Sequence, residues 1–237
     1  EAREKGYSHG LQIELDLSDG KHWFELSVSR KPGAPGRAPS YIILSRDITG
    51  RKTTEDKLLR LTNLYNALSQ CNQAIVRSTS EAELFDIICR DVVQLGGMEM
   101  AWIGLVDDTG SLLKPVASFG TGTEYLDGLE ISTSADEQTG RGPTGTCVRE
   151  KRPYWCQDFQ HDPATAHWHE RGALYGWGSS ASLPLFRKGQ VVGSLTLYAK
   201  QRNAFDQAAS DLLLEMAMDV SYALDRSLGV VILLPEQ

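Results

Sequence analysis

Between Cys147 and Trp177 the chain gathers the side chains best suited to chemistry. Cys147 falls near the start of a short predicted helix with Arg149 and Lys151 close by. That setting favours a thiolate, and Cys156 could then resolve a sulfenate formed on Cys147. His161, His167 and His169 add imidazoles. The cysteines lack the close pairing of a structural zinc site, and two histidines two residues apart do not share a helix face, so no metal is expected. Cys147, Trp155, Asp158, Phe159, Trp168, Tyr175 and Trp177 suit the lining of a small-molecule pocket. The plainer alternative is that the aromatic rings fill a small core beneath long loops. The run GRGPTGTC, Gly140–Cys147, could cradle a phosphate at a helix N-terminus. No Gly-Lys-Ser/Thr follows and no dinucleotide fingerprint occurs, so a tight turn into a helix explains it better. No Ser-His-Asp or paired-carboxylate arrangement stands out.

These residues need elements to hold them. Residues 11–17 and 23–29 alternate apolar and polar around an Asp19-Gly20 turn, and Tyr41–Ser45 adds a third strand after a Pro/Gly-rich loop. From Thr53 the pattern becomes helical. Leu58, Leu61, Tyr65, Leu68, Asn72 and Ile75 make a heptad stripe, which either covers the domain's own sheet or forms a parallel dimer seam. Ser80 and Glu83 form a capping box for a second helix that Gly96-Gly97 stops. Strands follow at MAWIGLVDD and LLKPVASFG, with Pro115 placed at an edge or bulge. Residues 120–178 are irregular apart from a helix at 144–150, a strand at PYWCQDF and a turn of helix near 164–171. Two strands joined at Lys188-Gly189 and a last helix capped by Asp206 complete the order. Leu213, Met216 and Val220 repeat the heptad spacing on that helix. The expected class is α+β, an antiparallel sheet with helices gathered on one face.

Composition narrows the partners. The 237 residues carry a formal charge of −7 without a basic block, which argues against nucleic acid. No apolar run approaches membrane-spanning length, and no direct membrane contact is expected. The four cysteines, Cys71, Cys89, Cys147 and Cys156, form no CxxC pair; reduced thiols in a cytoplasmic protein are the expectation.

Two families are similar to parts of this order. Residues 55–227 resemble a GAF domain of bacterial multidomain signalling proteins, through SEAELFDIICRDVV, MAWIGLVDDTGSLLKPVASFG, RGPTGTCVREKRPYWCQDF, SSASLPLFRKGQVVGSLTLYA and FDQAASDLLLEMAMDVSYALD. Residues 6–52 resemble the last three strands of a PAS domain, closing in RDITGRK. The implied organisation is a partial PAS domain at 1–50, a connecting and first GAF helix at 51–79, the rest of the GAF domain at 80–227, and a tail or connector at 228–237. By resemblance the chain is a sensory module, not an enzyme. It binds a small ligand or relays a conformational signal to an output domain elsewhere in the full-length protein, either cyclic-di-nucleotide turnover or a histidine kinase. It dimerises through its terminal helices, with Leu58, Leu61, Tyr65, Leu68, Asn72, Leu213, Met216 and Val220 as the seam. No covalently held cofactor is expected, since the Cys-His pair of bilin-binding relatives is missing. Asn203, Phe205 and Asp206 only echo the cyclic-nucleotide signature. The alternatives are a structural dimerisation spacer without ligand, and a thiol-dependent enzyme resembling free methionine sulfoxide reductase.

Overall fold

The computed structural model describes residues 5–18, 20–31 and 40–226. Asp19 of the expected turn, most of the Pro/Gly-rich loop and the tail at 228–237 lie outside the described residues. The chain divides into two compact units, 1–59 and 60–237. The division falls inside a helix instead of at residue 50.

In the first unit β1 (Tyr7–Leu17), β2 (Gly20–Lys31) and β3 (Ser40–Asp47) form an antiparallel sheet in the order β1-β2-β3. Helix α1 (Thr49–Arg77) starts four residues before the periodicity predicts. Its start is fixed locally. Asp47 Oδ1 accepts from the Thr49 N–H at 2.8 Å, Thr49 Oγ1 accepts from the Trp23 N–H at 2.9 Å, and Ile48 is buried. A carboxylate receiving an orphan N–H of the first turn outweighs the intrinsic weakness of Thr49-Gly50 as helix formers.

The second unit is built on a six-stranded antiparallel sheet in the order β6-β5-β4-β9-β8-β7. Its strands are β4 (Met100–Val106), β5 (Leu112–Gly120), β6 (Ile131–Ser132), β7 (Tyr154–Cys156), β8 (Ser179–Arg187) and β9 (Gln190–Ala199). The β4–β5 register slips between Ile103 and Gly104, which absorbs Pro115. Lys188 and Gly189, both at positive φ, turn the β8–β9 hairpin. Two-residue alternation then assigns the faces. Ala101, Ile103, Leu183, Leu195 and Leu197 meet α1 from Leu64 onward, α2 (Glu81–Gln94) and α5 (Gln207–Arg226) in one core. Met100, Trp102 and Tyr198 meet the loops in a second core on the opposite face.

The capping box takes a shifted form. Ser80 Oγ accepts from the Glu83 N–H at 3.2 Å, while the Glu83 carboxylate receives the N–H of Thr79 at 2.8 Å. The last helix is fixed by Asp206, which accepts from the Ala209 N–H at 3.1 Å and pairs with Arg60 at 2.9 Å.

The heptad seam needs correction. Leu68, Leu213, Met216 and Val220 are buried in the unit's own core and Leu61 packs against it, so none offers a face to a partner. Exposed on the helices are Leu58, Tyr65 and Asn72, joined by Val76, Met218 and Tyr222. The true inward stripe runs through Leu64, Ala67, Leu68, Cys71 and Ala74, which keeps the heptad spacing but is offset by about one position from the stripe read off the sequence.

Candidate functional site

The loop face of β8 and β9 carries a row of hydroxyls. Alternation that sends Ala181, Leu183, Leu195 and Leu197 to the helices sends Ser180, Ser182, Ser194 and Thr196 to the loops. Thr144, from the first turn of α3 (Pro143–Glu150), joins them. Its Oγ1 lies 3.1 Å from Ser182 Oγ and 3.2 Å from Thr196 Oγ1, which is 3.3 Å from Ser194 Oγ. All five are buried, so the network satisfies hydroxyls that would otherwise each cost free energy of burial. Ser180 Oγ is the exception. It is 1% exposed and sits beside the Cys156 thiol, a weak partner, yet makes no hydrogen bond of ordinary geometry with any described residue.

Above this floor lies a cavity of about 20 Å³. Ser180, Thr196 and Tyr198 line it from the sheet, Thr144 from α3, and Tyr125, Phe159 and Trp168 from the loops. The space suffices for one water. Trp168 ends a 3-10 turn, Pro163–Trp168, that Asp162 starts by accepting from the Ala164 N–H at 2.9 Å and that leads into α4 (His169–Tyr175). Thr165 Oγ1 donates to the Phe159 carbonyl at 2.6 Å within the loop, and Tyr154 Oη donates to Asp162 at 3.2 Å, which ties the loop to β7. The indole lies against Gly142, where a Cβ would stand 2.3 Å from ring atom Cη2. At Gly145 a Cβ would meet the carbonyls of Gly140 and Ser132 at 2.5 and 2.7 Å. The glycines of GRGPTGTC therefore serve close packing and do not leave the open cradle a phosphate needs.

Of the seven sequence-predicted pocket residues, Phe159 and Trp168 line the cavity. Trp177 and Tyr175 stand behind it. Trp177 stacks on Tyr198 at 3.9 Å and on Tyr175 at 5.2 Å between ring centroids. Trp155 faces the other side of the sheet, against Phe205 at 5.8 Å, because its neighbours Tyr154 and Cys156 take the loop side. Asp158 is at the surface, 3.0 Å from His161 Nδ1 and 3.3 Å from Arg202. The His161 hydrogen bond and the Arg202 charge hold its carboxyl below the usual range. His169 Nε2 lies 3.2 Å from Thr165 Oγ1, and the His167 ring meets the Trp168 ring edge-on. No group of His, Cys, Asp or Glu among the described residues is arranged to hold a metal ion, and no described helix is long and apolar enough to cross a membrane. The hydroxyl row escaped sequence reasoning, although the alternation in SSASLPL and GSLTLYA marks it.

Cys147 is buried beside Ser194, and Cys156 is buried beside Ser180. Burial pushes each thiol from 9.0 up to about 12. At pH 7 a thiol so placed is ionised about once in 10⁵ molecules. A raised pKa gives stability that is complete below pH 9.0 and is lost as pH climbs to about 12. Neither cysteine is expected to react with Ellman's reagent at pH 8 while the protein is folded, whereas guanidinium should release all four thiols. A single fast-reacting thiol in the native protein would show that one site opens to solvent.

A family model described as GAF domain matches residues 78–225. A search of curated proteins finds no match to the chain. Among solved structures, the free methionine-R-sulfoxide reductase from Neisseria meningitidis in complex with its substrate has a TM-score of 0.58 at 18% identity, covering 71% of this chain and 92% of that one. The GAF domain of a phosphoenolpyruvate-protein phosphotransferase from Coxiella burnetii also scores 0.58, at 16% identity over 72% of this chain and 99% of that one. The reduced form of fRMsr from Staphylococcus aureus scores 0.56 at 16% identity, covering 69% and 96%. At these identities the likeness is one of fold. It still corrects the expectation that the chain is not an enzyme, because reductases share this fold as fully as the phosphotransferase's GAF domain does.

Proposed function

The chain belongs to the GAF domain family, and from that premise we propose that its second unit is a ligand-binding regulatory domain whose site is the cavity between the hydroxyl row and Trp168. One observation carries this: the buried Ser180 Oγ at the cavity wall, whose neighbour is the weakly bonding Cys156 thiol and which makes no hydrogen bond of ordinary geometry with any described residue. A spacer without ligand would gain by an apolar residue there, since an unsatisfied hydroxyl costs about 1–3 kcal/mol. A ligand enters when the Trp168 loop shifts, and the shift passes through β8 and β9 to α1 and α5 on the opposite face.

The three-stranded sheet ending in RDITGRK is, in this proposal, the closing part of a PAS domain. The output is a cyclic-di-nucleotide enzyme or histidine kinase elsewhere in the full-length protein. A homodimer forms through the residues that the helices leave exposed, Tyr65, Asn72, Met218 and Tyr222. Native mass spectrometry and a thermal-shift screen of small metabolites test the site. A ligand should raise the melting temperature of the wild type and act less on Thr196→Val. Absence of any bound species and of any shift across the screen would remove the ligand reading.

A second reading is thiol chemistry like that of free methionine-R-sulfoxide reductase, favoured by the shared fold. Cys147 and Cys156 are its candidates, and turnover would require their exposure. Reduction of free methionine-R-sulfoxide with a dithiol, lost on Cys147→Ser or Cys156→Ser, would support it. Turnover absent from the wild type would discard it.

A further inference from the structure

The lining of the cavity also bears on the charge and shape of its occupant. None of the residues that line it is ionisable at neutral pH apart from phenols that burial keeps protonated. A cation entering it would meet no carboxylate. An anion would meet the N-terminus of the eight-residue helix α3, with the Arg171 guanidinium set apart from the cavity over the Tyr125 ring, and would lose its hydration, and a short helix end does not compensate for that.

Donors are nevertheless in excess at one edge. Gly142 gives α3 no side-chain cap, and Pro143 occupies its first position without an N–H. The first helical N–H groups are therefore those of Thr144 and Gly145, both on lining residues. Ser180 Oγ adds a hydroxyl that has only the weak Cys156 thiol beside it and no hydrogen bond of ordinary geometry with any described residue. Thr144 and Thr196 are already engaged with Ser182. The remaining capacity is for a hydrogen-bond acceptor that carries no full charge.

Shape comes from the aromatic rings of the lining. Phe159, Tyr125 and Tyr198 present ring surfaces, and the Trp168 indole rests directly on the Gly142 backbone. With that ring in place only about 20 Å³ is left. An organic ligand must therefore displace the ring, and the space gained is that of a flat, neutral bicycle.

We propose that this cavity takes a neutral planar molecule with an accepting edge, in the class of aromatic amides and lactams, seated where the Trp168 indole lies and held by Ser180 Oγ and the first turn of α3. The assignment rests on the ligand-binding reading above. The test is an isosteric charge series, benzamide, benzoate and benzamidine, titrated by calorimetry into the 237-residue protein and its Ser180→Ala and Trp168→Ala variants. Trp168→Phe is added if the alanine variant fails to fold by circular dichroism. Benzamide is expected to bind at least ten-fold tighter than either charged probe. Ser180→Ala should weaken it at least five-fold with an unchanged fold, and Trp168→Ala should tighten it. Equal or tighter binding of benzoate or benzamidine, sensitive to the Trp168 change, would overturn the neutral class while leaving the site in place. Benzamide binding indifferent to Ser180→Ala would overturn the assigned anchor. No binding of any probe to the wild type or to a folded Trp168 variant would overturn this proposal and the site together.

Discussion

Trp177→Ala is expected to lower the unfolding free energy by about 3–5 kcal/mol. Trp177 is buried at the centre of the loop-side core. It stacks on Tyr198 at 3.9 Å, meets Tyr125 edge-on at 5.3 Å and Phe159 edge-on at 5.8 Å, and has Tyr175 on its outer side. Three of these rings also line the cavity. Removing the indole opens a void that a β-strand on one side and tied loops on the other cannot collapse around, so the loss should fall near the upper part of that range. Urea denaturation followed by circular dichroism measures it. Trp155→Ala provides the comparison: that ring is half-buried on the helix side and should cost clearly less. Equal losses would mean that the rings do not form the packed cluster described. If the cavity binds the proposed ligand, Trp177→Ala should weaken that binding, because Phe159 and Tyr198 are positioned by the ring behind them.

The contrast between Trp155 and Trp177 also shows what a sequence can and cannot reveal about such a site. Both are tryptophans in a stretch rich in aromatics, and composition cannot separate them. Trp155 lies in a three-residue strand, too short to display alternation, and its face is set only by its pairing opposite Ala181 on β8. Longer elements were legible because their periods repeat. The hairpin at Lys188-Gly189, the Ser80 cap, the Asp206 cap and the slip at Pro115 all have local causes within a few residues. The cavity has none. Thr144, Ser180, Thr196 and Trp168 meet through loops whose path depends on close approaches such as Trp168 on Gly142. The hydroxyl alternation of β8 and β9 was the available signal, and it marks a buried polar face that an ordinary core would not need.

The helix stripe poses a problem of phase, and a pair of substitutions resolves it. Leu68→Ala is expected to cost about 2–5 kcal/mol, since Leu68 is 4% exposed within the helix-side core. Tyr65→Ala, three residues away and 63% exposed, should leave the stability of the isolated chain within about 0.5 kcal/mol. Their effects on association should run the other way. Tyr65 lines a groove between α1 and α5 with Ser69, Asn72, Val76 and Glu215, and a homodimer through this face would bury it. Tyr65→Ala should then shift sedimentation toward monomer and abolish any concentration dependence of the melting temperature. Leu68→Ala should lower the melting point at every concentration by weakening the fold itself. If Leu68→Ala instead dissociated a dimer without loss of monomer stability, α1 would present its heptad stripe outward, contrary to the burial of Leu64, Leu68 and Cys71 against the sheet. If neither variant altered association, the exposed tyrosines would be surface residues alone and no homodimer would form through this face.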